Sequence, residues 1–133
     1  FADSWSGEIW AYDYDIATGG VSNRRTFTKV DMSEGGAADG STVDSEGFVW
    51  NAGVYVGKLF RYAPDGSVDR VIDMPVKKVT SVMFGGPNLD ILYVTSMAKP
   101  PLPRFPGDGV LRGSLFAIHD LGIKGIPEPR FGA

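Results

Sequence analysis

Three segments of the chain carry one pattern: Gly7-Glu8-Ile9-Trp10-Ala11-Tyr12, Gly57-Lys58-Leu59-Phe60-Arg61-Tyr62 and Gly113-Ser114-Leu115-Phe116-Ala117-Ile118. Each reads glycine, a polar residue, an aliphatic, an aromatic, a variable residue, then Tyr or Ile. The glycines lie 50 and then 56 positions apart. An Asp-containing turn follows every copy, at residues 13–19, 64–66 and 120–122. Self-similarity at this period is the mark of units that cannot bury their own apolar faces and must stack on one another.

A further short strand is predicted before each copy, at residues 1–4, 48–53 and 91–96. The second and third units add a matching strand-turn-strand, one over 41–50 and one over 81–94. The first of these turns is Asp44-Ser45-Glu46-Gly47, in which Asp and Ser bond locally to the backbone and Gly takes positive φ at little cost. The other is Gly85-Gly86-Pro87-Asn88. Outer strands are predicted at 23–30, 68–74 and 127–131. Four short strands in about 50 residues describe a blade of a β-propeller. The units then fall at 1–30, the end of one blade, at 37–75, and at 79–133 with an inserted loop over 97–112. A single antiparallel sandwich with chance turn similarity is the rival architecture, and the threefold recurrence weighs against it. No stretch of ten residues or more has a helical period.

Composition narrows the function classes. Eighteen Gly, nine Pro, five Tyr, eight Phe and three Trp in 133 residues fit many short strands joined by tight turns. The net charge is −3 and Lys/Arg runs stop at two residues, at 24–25 and 77–78, which argues against a nucleic-acid partner. No apolar run reaches membrane-spanning length. The absence of cysteine excludes disulfides, thiolate metal sites and a cysteine nucleophile. The sequence opens at Phe1 in what reads as the middle of a strand, so the expectation is that a further N-terminal part precedes it. The cytoplasm is the expected compartment.

Four stretches together resemble a known family, the regucalcin/gluconolactonase group (senescence-marker-protein, LRE-like). They are Asp3-Ser4 with Ile9-Trp10-Ala11-Tyr12-Asp13-Tyr14-Asp15 and Gly19; Asp39-Gly40 with Val43-Asp44-Ser45-Glu46-Gly47; Val79-Thr80-Ser81 with Phe84-Gly85-Gly86; and Gly113-Ser114-Leu115-Phe116 with Gly122-Ile123-Lys124-Gly125. The resemblance implies an all-β, six-bladed propeller of which this chain covers roughly three blades, the C-terminal half. It implies a divalent-metal-dependent hydrolase of sugar lactones or related esters. The family's metal site takes a Glu, an Asn and an Asp that begins an inner strand; Asp39 matches that Asp, and the other two ligands are expected upstream of Phe1. Calcium is the favoured ion, and zinc, manganese and magnesium also suit such a mixed oxygen set. Two positions depart from the pattern: Ala38 stands where the family often has Pro, and Asn51, where an apolar residue is more usual, adds a polar group near the channel.

The resemblance gives Asp39 two roles, metal ligand and general base, and Gly40 the role of letting the backbone pass close to the ion. On its residues alone Asp39 reads rather as the start of a turn before a strand, and it is the resemblance that reverses this. Asp44, Glu46, Asp13, Asp15 and Asp65 read as turn residues. Asp3 and Ser4 end a strand at the same rim. Thr80 and Ser81 begin the next inner strand and read as packing or turn residues. His119, the sole histidine, has no serine partner, which disfavours a Ser-His-Asp mechanism. The proline-rich insertion is expected to run extended over the rim near Asp39. Leu102 and Phe105 are its candidate substrate contacts, unless it is a solvated connector. The chain alone is expected to be inactive and to self-associate through open propeller edges. A non-enzymatic half-propeller assembly module is one alternative function, and a strictosidine-synthase-like propeller enzyme is another.

Overall fold

Ten strands form three antiparallel sheets in a computed structural model that describes residues 1–31, 33–99, 105–129 and 132. The first sheet orders β1 (Ala2–Asp3), β2 (Glu8–Asp15) and β3 (Gly20–Lys29). The second is a four-stranded meander of β4 (Ala37–Val43), β5 (Val49–Val54), β6 (Lys58–Tyr62) and β7 (Val68–Asp73). The third orders β8 (Val79–Gly85), β9 (Ile91–Ser96) and β10 (Phe116–Ile118). Every pairing joins chain neighbours, the topology that tight turns after each repeat dictate. Among the described residues no helix is long and apolar enough to cross a membrane.

The middle sheet is sandwiched between the other two, so its strands carry apolar residues on both faces. Toward the first sheet, Ala38 and Tyr62 pack with Ile9 and Val30, and Phe27 meets the Tyr62 ring edge-on. Toward the third sheet, Trp50, Ala52 and Leu59 pack with Val79, Val82, Phe84, Leu92 and Val94. Trp50 stands edge-on to Phe84, with ring centroids 6.0 Å apart. β5 is consequently buried along nearly its whole length.

The hairpin at Asp44–Gly47 is built as its residues predict, with Gly47 at φ 83° and Asp44 Oδ1 accepting from the Glu46 and Phe48 amides. It is not a surface turn, however. Asp44 is fully buried and pairs with Gly125, while the Ser45 amide donates to the Lys124 carbonyl. The Gly125 amide donates in turn to Leu89, so the segment around Ile123–Gly125 ties the turns of the second and third sheets together.

Three expectations need correction. The third repeat copy becomes strand only at Phe116, because Gly113 takes φ 75° in a turn. Residues 127–129 form no strand; 130 and 131 lie outside the described residues. The inserted loop does not run extended throughout. Pro106 opens 3₁₀ structure over Pro106–Leu111, broken by a kink at Gly109 (φ 54°), since the fixed φ of proline suits a first helical position as well as an extended one.

Candidate functional site

Asp39 sits inside β4 rather than at its entrance. Ala38 pairs with Gly53 and Ser41 with Asn51, so Asp39 and Gly40 together oppose Ala52 alone. This is a β-bulge, a device that bends a strand and re-aims a side chain. Asp39 lines a cavity of about 710 Å³ between the first and second sheets. Phe1, Ile9 and Phe27 line its first-sheet side, and Ser41 and Thr42 share the second-sheet side with Asp39.

Burial pushes the Asp39 carboxyl above the ordinary carboxylate range, and only the Gly40 amide hydrogen bond opposes that shift. Among the described residues no cation or side-chain donor touches the carboxylate. A half-buried, unpaired carboxylate facing an open groove is a competent proton acceptor and a free oxygen ligand.

Gly40 is a close-packing position. A Cβ there would come within 2.3 Å of Ser81 Oγ and 2.8 Å of Ser81 Cα, so the missing side chain is what lets β4 and β8 approach. Ser81 is thereby a packing residue, and Thr80 shares a hydrogen bond with Thr95.

The remaining expected residues disperse. Ser4 lines the Asp39 cavity, whereas Asp3 accepts the amides of Trp5 and Ser6 in a turn. Asp15 and Asp65 likewise hold their own turns, and Asp13 pairs with Arg25 and Asn23 on the surface. His119 lines a separate cavity with Asp90 and Asp120. Phe105 stacks on Tyr55, centroids 6.4 Å apart, beneath the Lys78 amine. Since Ala37 pairs with Val54, Tyr55 lies at the end of the sheet where β4 begins, so the loop does reach that rim. It lines its own cavity of about 330 Å³, and none of residues 105–112 lines the cavity of Asp39. Leu102 lies outside the described residues.

Two participants were not identified from sequence as what they are. Asn51 is fully buried on β5 behind the bulge, and its Nδ2 donates to the Asp39 carbonyl over 2.7 Å. Arg61 is the buried partner of Asp44, and also bonds Glu46 and Asp69 at the surface. The only sequence signal for Asn51 was its polarity between Trp50 and Ala52; for Arg61 there was none.

No group of three or more His, Cys, Asp or Glu side chains converges among the described residues. A hard divalent cation needs about six oxygen donors or more. The described residues bring no such set together.

The family model described as SMP-30/gluconolactonase/LRE-like region matches residues 1–98. Regucalcin of Danio rerio is 38% identical over 132 residues, spanning 96% of this chain and 43% of that protein. A solved luciferin-regenerating enzyme superposes with a TM-score of 0.85 at 33% identity, over 95% of this chain and 42% of its own. A regucalcin from Agrobacterium tumefaciens, described as a calcium-binding protein, gives 0.84 at 28% identity over 98% and 44%. The chain spans less than half the length of these relatives.

Proposed function

Because the chain belongs to the SMP-30/gluconolactonase/LRE-like family, we propose that it is the C-terminal half of a divalent-metal-dependent hydrolase of sugar lactones or related esters. In this reading its three sheets are three blades of a six-bladed propeller. The observation that carries the proposal is the Asp39 carboxylate: half-buried, without a cation partner among the described residues, and set by a bulge at a groove of about 710 Å³. Asp39 would take a proton from the water as it adds to the ester carbonyl and return it to the alkoxide as the C–O bond breaks. Asp39 would also be one oxygen ligand of a divalent cation, calcium by preference, which would supply Lewis acidity toward that carbonyl. Phe105, stacked on Tyr55 at the rim where β4 begins, is the apolar contact for the substrate. A cytoplasmic location goes with this reading.

The test uses the sequence extended upstream to the length of its relatives, with gluconolactone and calcium. Asp39→Asn is expected to lower kcat at least about 100-fold, the usual worth of a general base. A loss below tenfold overturns the reading. The 133-residue chain alone is expected to show no calcium-dependent turnover; turnover abolished by Asp39→Asn would contradict that. In the extended protein, deletion of 99–109 is expected to alter preference among lactones, and an unchanged preference removes the substrate role of the loop.

A second reading, an assembly module, draws on the sheet count. The first and third sheets hold three described strands against four in the second, which leaves edges for a partner to cover.

A further inference from the structure

The bulge at Asp39–Gly40 displaces main-chain groups from the ladder, because two residues of β4 stand against Ala52 alone. A buried carbonyl in that position needs a donor from elsewhere. It finds one in a side chain: Asn51 Nδ2 donates to Asp39 O over 2.7 Å and to Ser41 Oγ over 2.9 Å. Ser41 Oγ in turn donates to Asp39 O over 3.4 Å, closing a small triangle on both sides of Gly40.

We propose that Asn51 is the positioning residue of this site: it clamps the Asp39 main chain from behind and so sets the direction in which the carboxylate enters the cavity. The carboxylate has no side-chain partner among the described residues, so its aim depends on its own backbone. Asn51 stands between Trp50 and Ala52 on β5, all three fully buried, which gives the clamp a rigid base. Its other end makes no such bond. Among the described residues Asn51 Oδ1 is buried without a hydrogen-bond partner. An apolar side chain of similar volume would spare that oxygen but leave the Asp39 carbonyl with the 3.4 Å Ser41 hydroxyl alone. The useful end of the amide is Nδ2, and it points at Asp39 and Ser41. The functional weight of the clamp rests on the hydrolase reading of Asp39 given above; the clamp itself does not.

Asn51→Leu in the 133-residue chain tests this, with Val94→Ala on β9 as a control that loosens the core elsewhere. The readouts are the side-chain rotamer averaging of Asp39 from NMR couplings and amide hydrogen exchange at Gly40 and Ser41. Asn51→Leu is expected to convert Asp39 from one rotamer to an average and to raise exchange at Gly40 and Ser41 by at least about tenfold beyond the global rate. Its thermal midpoint is expected to fall less than that of Val94→Ala, which leaves Asp39 unmoved. Asn51→Ala gives the same readouts should the leucine variant fail to fold. An Asp39 indifferent to both Asn51 variants, or equally disturbed by Val94→Ala, overturns the proposal. If instead Asp39 responds but Asp39→Asn leaves lactone hydrolysis intact in the extended protein, the clamp stands and the hydrolase reading falls.

Discussion

Asp39 and Asp44 belong to one stretch of chain, and burial acts on both carboxyls in the same direction, yet they end in opposite states. At Asp39 only the Gly40 amide works against desolvation, desolvation prevails, and the carboxyl titrates above the ordinary range. At Asp44 desolvation is the largest single influence, but hydrogen bonds from Arg61 and Trp50 outweigh it and hold the carboxyl below that range. Trp50 Nε1 donates over 2.9 Å and Arg61 Nε over 2.8 Å, and the guanidinium lies 3.7 Å above the Phe48 ring. Asp44→Asn keeps the shape and strands a buried guanidinium with only the more exposed Glu46 and Asp69. The expected loss is about 3–5 kcal/mol in urea unfolding. The sign of the pH effect follows. A carboxyl whose folded pKa lies below its unfolded one contributes fully above the unfolded value, near 3.9, and loses that contribution as pH falls through the folded value. The urea midpoint of the native chain is therefore expected to drop in acid below about pH 4, and that of Asp44→Asn to drop less.

At the level of elements, the inner strands β4 and β8 meet through the gap at Gly40. A methyl group there has no room, with Ser81 Oγ at 2.3 Å and its Cα at 2.8 Å. Gly40→Ala is expected to cost about 1–3 kcal/mol, as overpacking does. Ser81→Gly in the same molecule recovers part of it, since it removes the oxygen and leaves the Cα. Additive effects in a double-mutant cycle would place the strain elsewhere. This contact also marks how far the sequence could be read. The strand-turn units and the Asp44–Gly47 hairpin were legible because alternation and turn chemistry act within a few residues. The bulge was not, since it exists only in the register between β4 and β5, which neither strand carries alone. Burial of Asp44 was hidden for a similar reason: its partners Arg61 and Gly125 are distant in sequence. Gly40 was rightly singled out for close approach, but the approaching group is Ser81, brought in by packing of the third sheet. The candidate site was visible as a single residue, Asp39; the amide that holds it was visible only as an oddity of composition.

At the scale of the whole molecule, among the described residues each outer sheet packs its apolar cluster against the middle sheet and no further sheet lies beyond it. The edge strands β1 and β10 are short, and among the described residues neither has a strand on its free side. Large apolar side chains remain exposed near these ends: Phe1 at 74% and Trp5 at 90% beside the first sheet, Leu115 at 64% and Val110 at 97% beside the third. The middle sheet shows what covering achieves, since β5 between its neighbours exposes almost nothing. Relatives whose solved chains it overlaps by 42–44% have more polypeptide to lay against these faces. Studied by itself, the 133-residue chain has only other copies of itself. It is therefore expected to self-associate with rising concentration, as open edges and uncovered apolar faces do in general. Sedimentation velocity over a concentration series reads this directly. Leu115→Lys, beside the β10 edge, is expected to weaken the association without lowering the thermal midpoint of the monomer, because Leu115 is mostly exposed there. A single monomeric species throughout the series would mean that the two open faces are tolerated as they stand. The assembly reading would then have no support, while the Asp39 site would be untouched by the result.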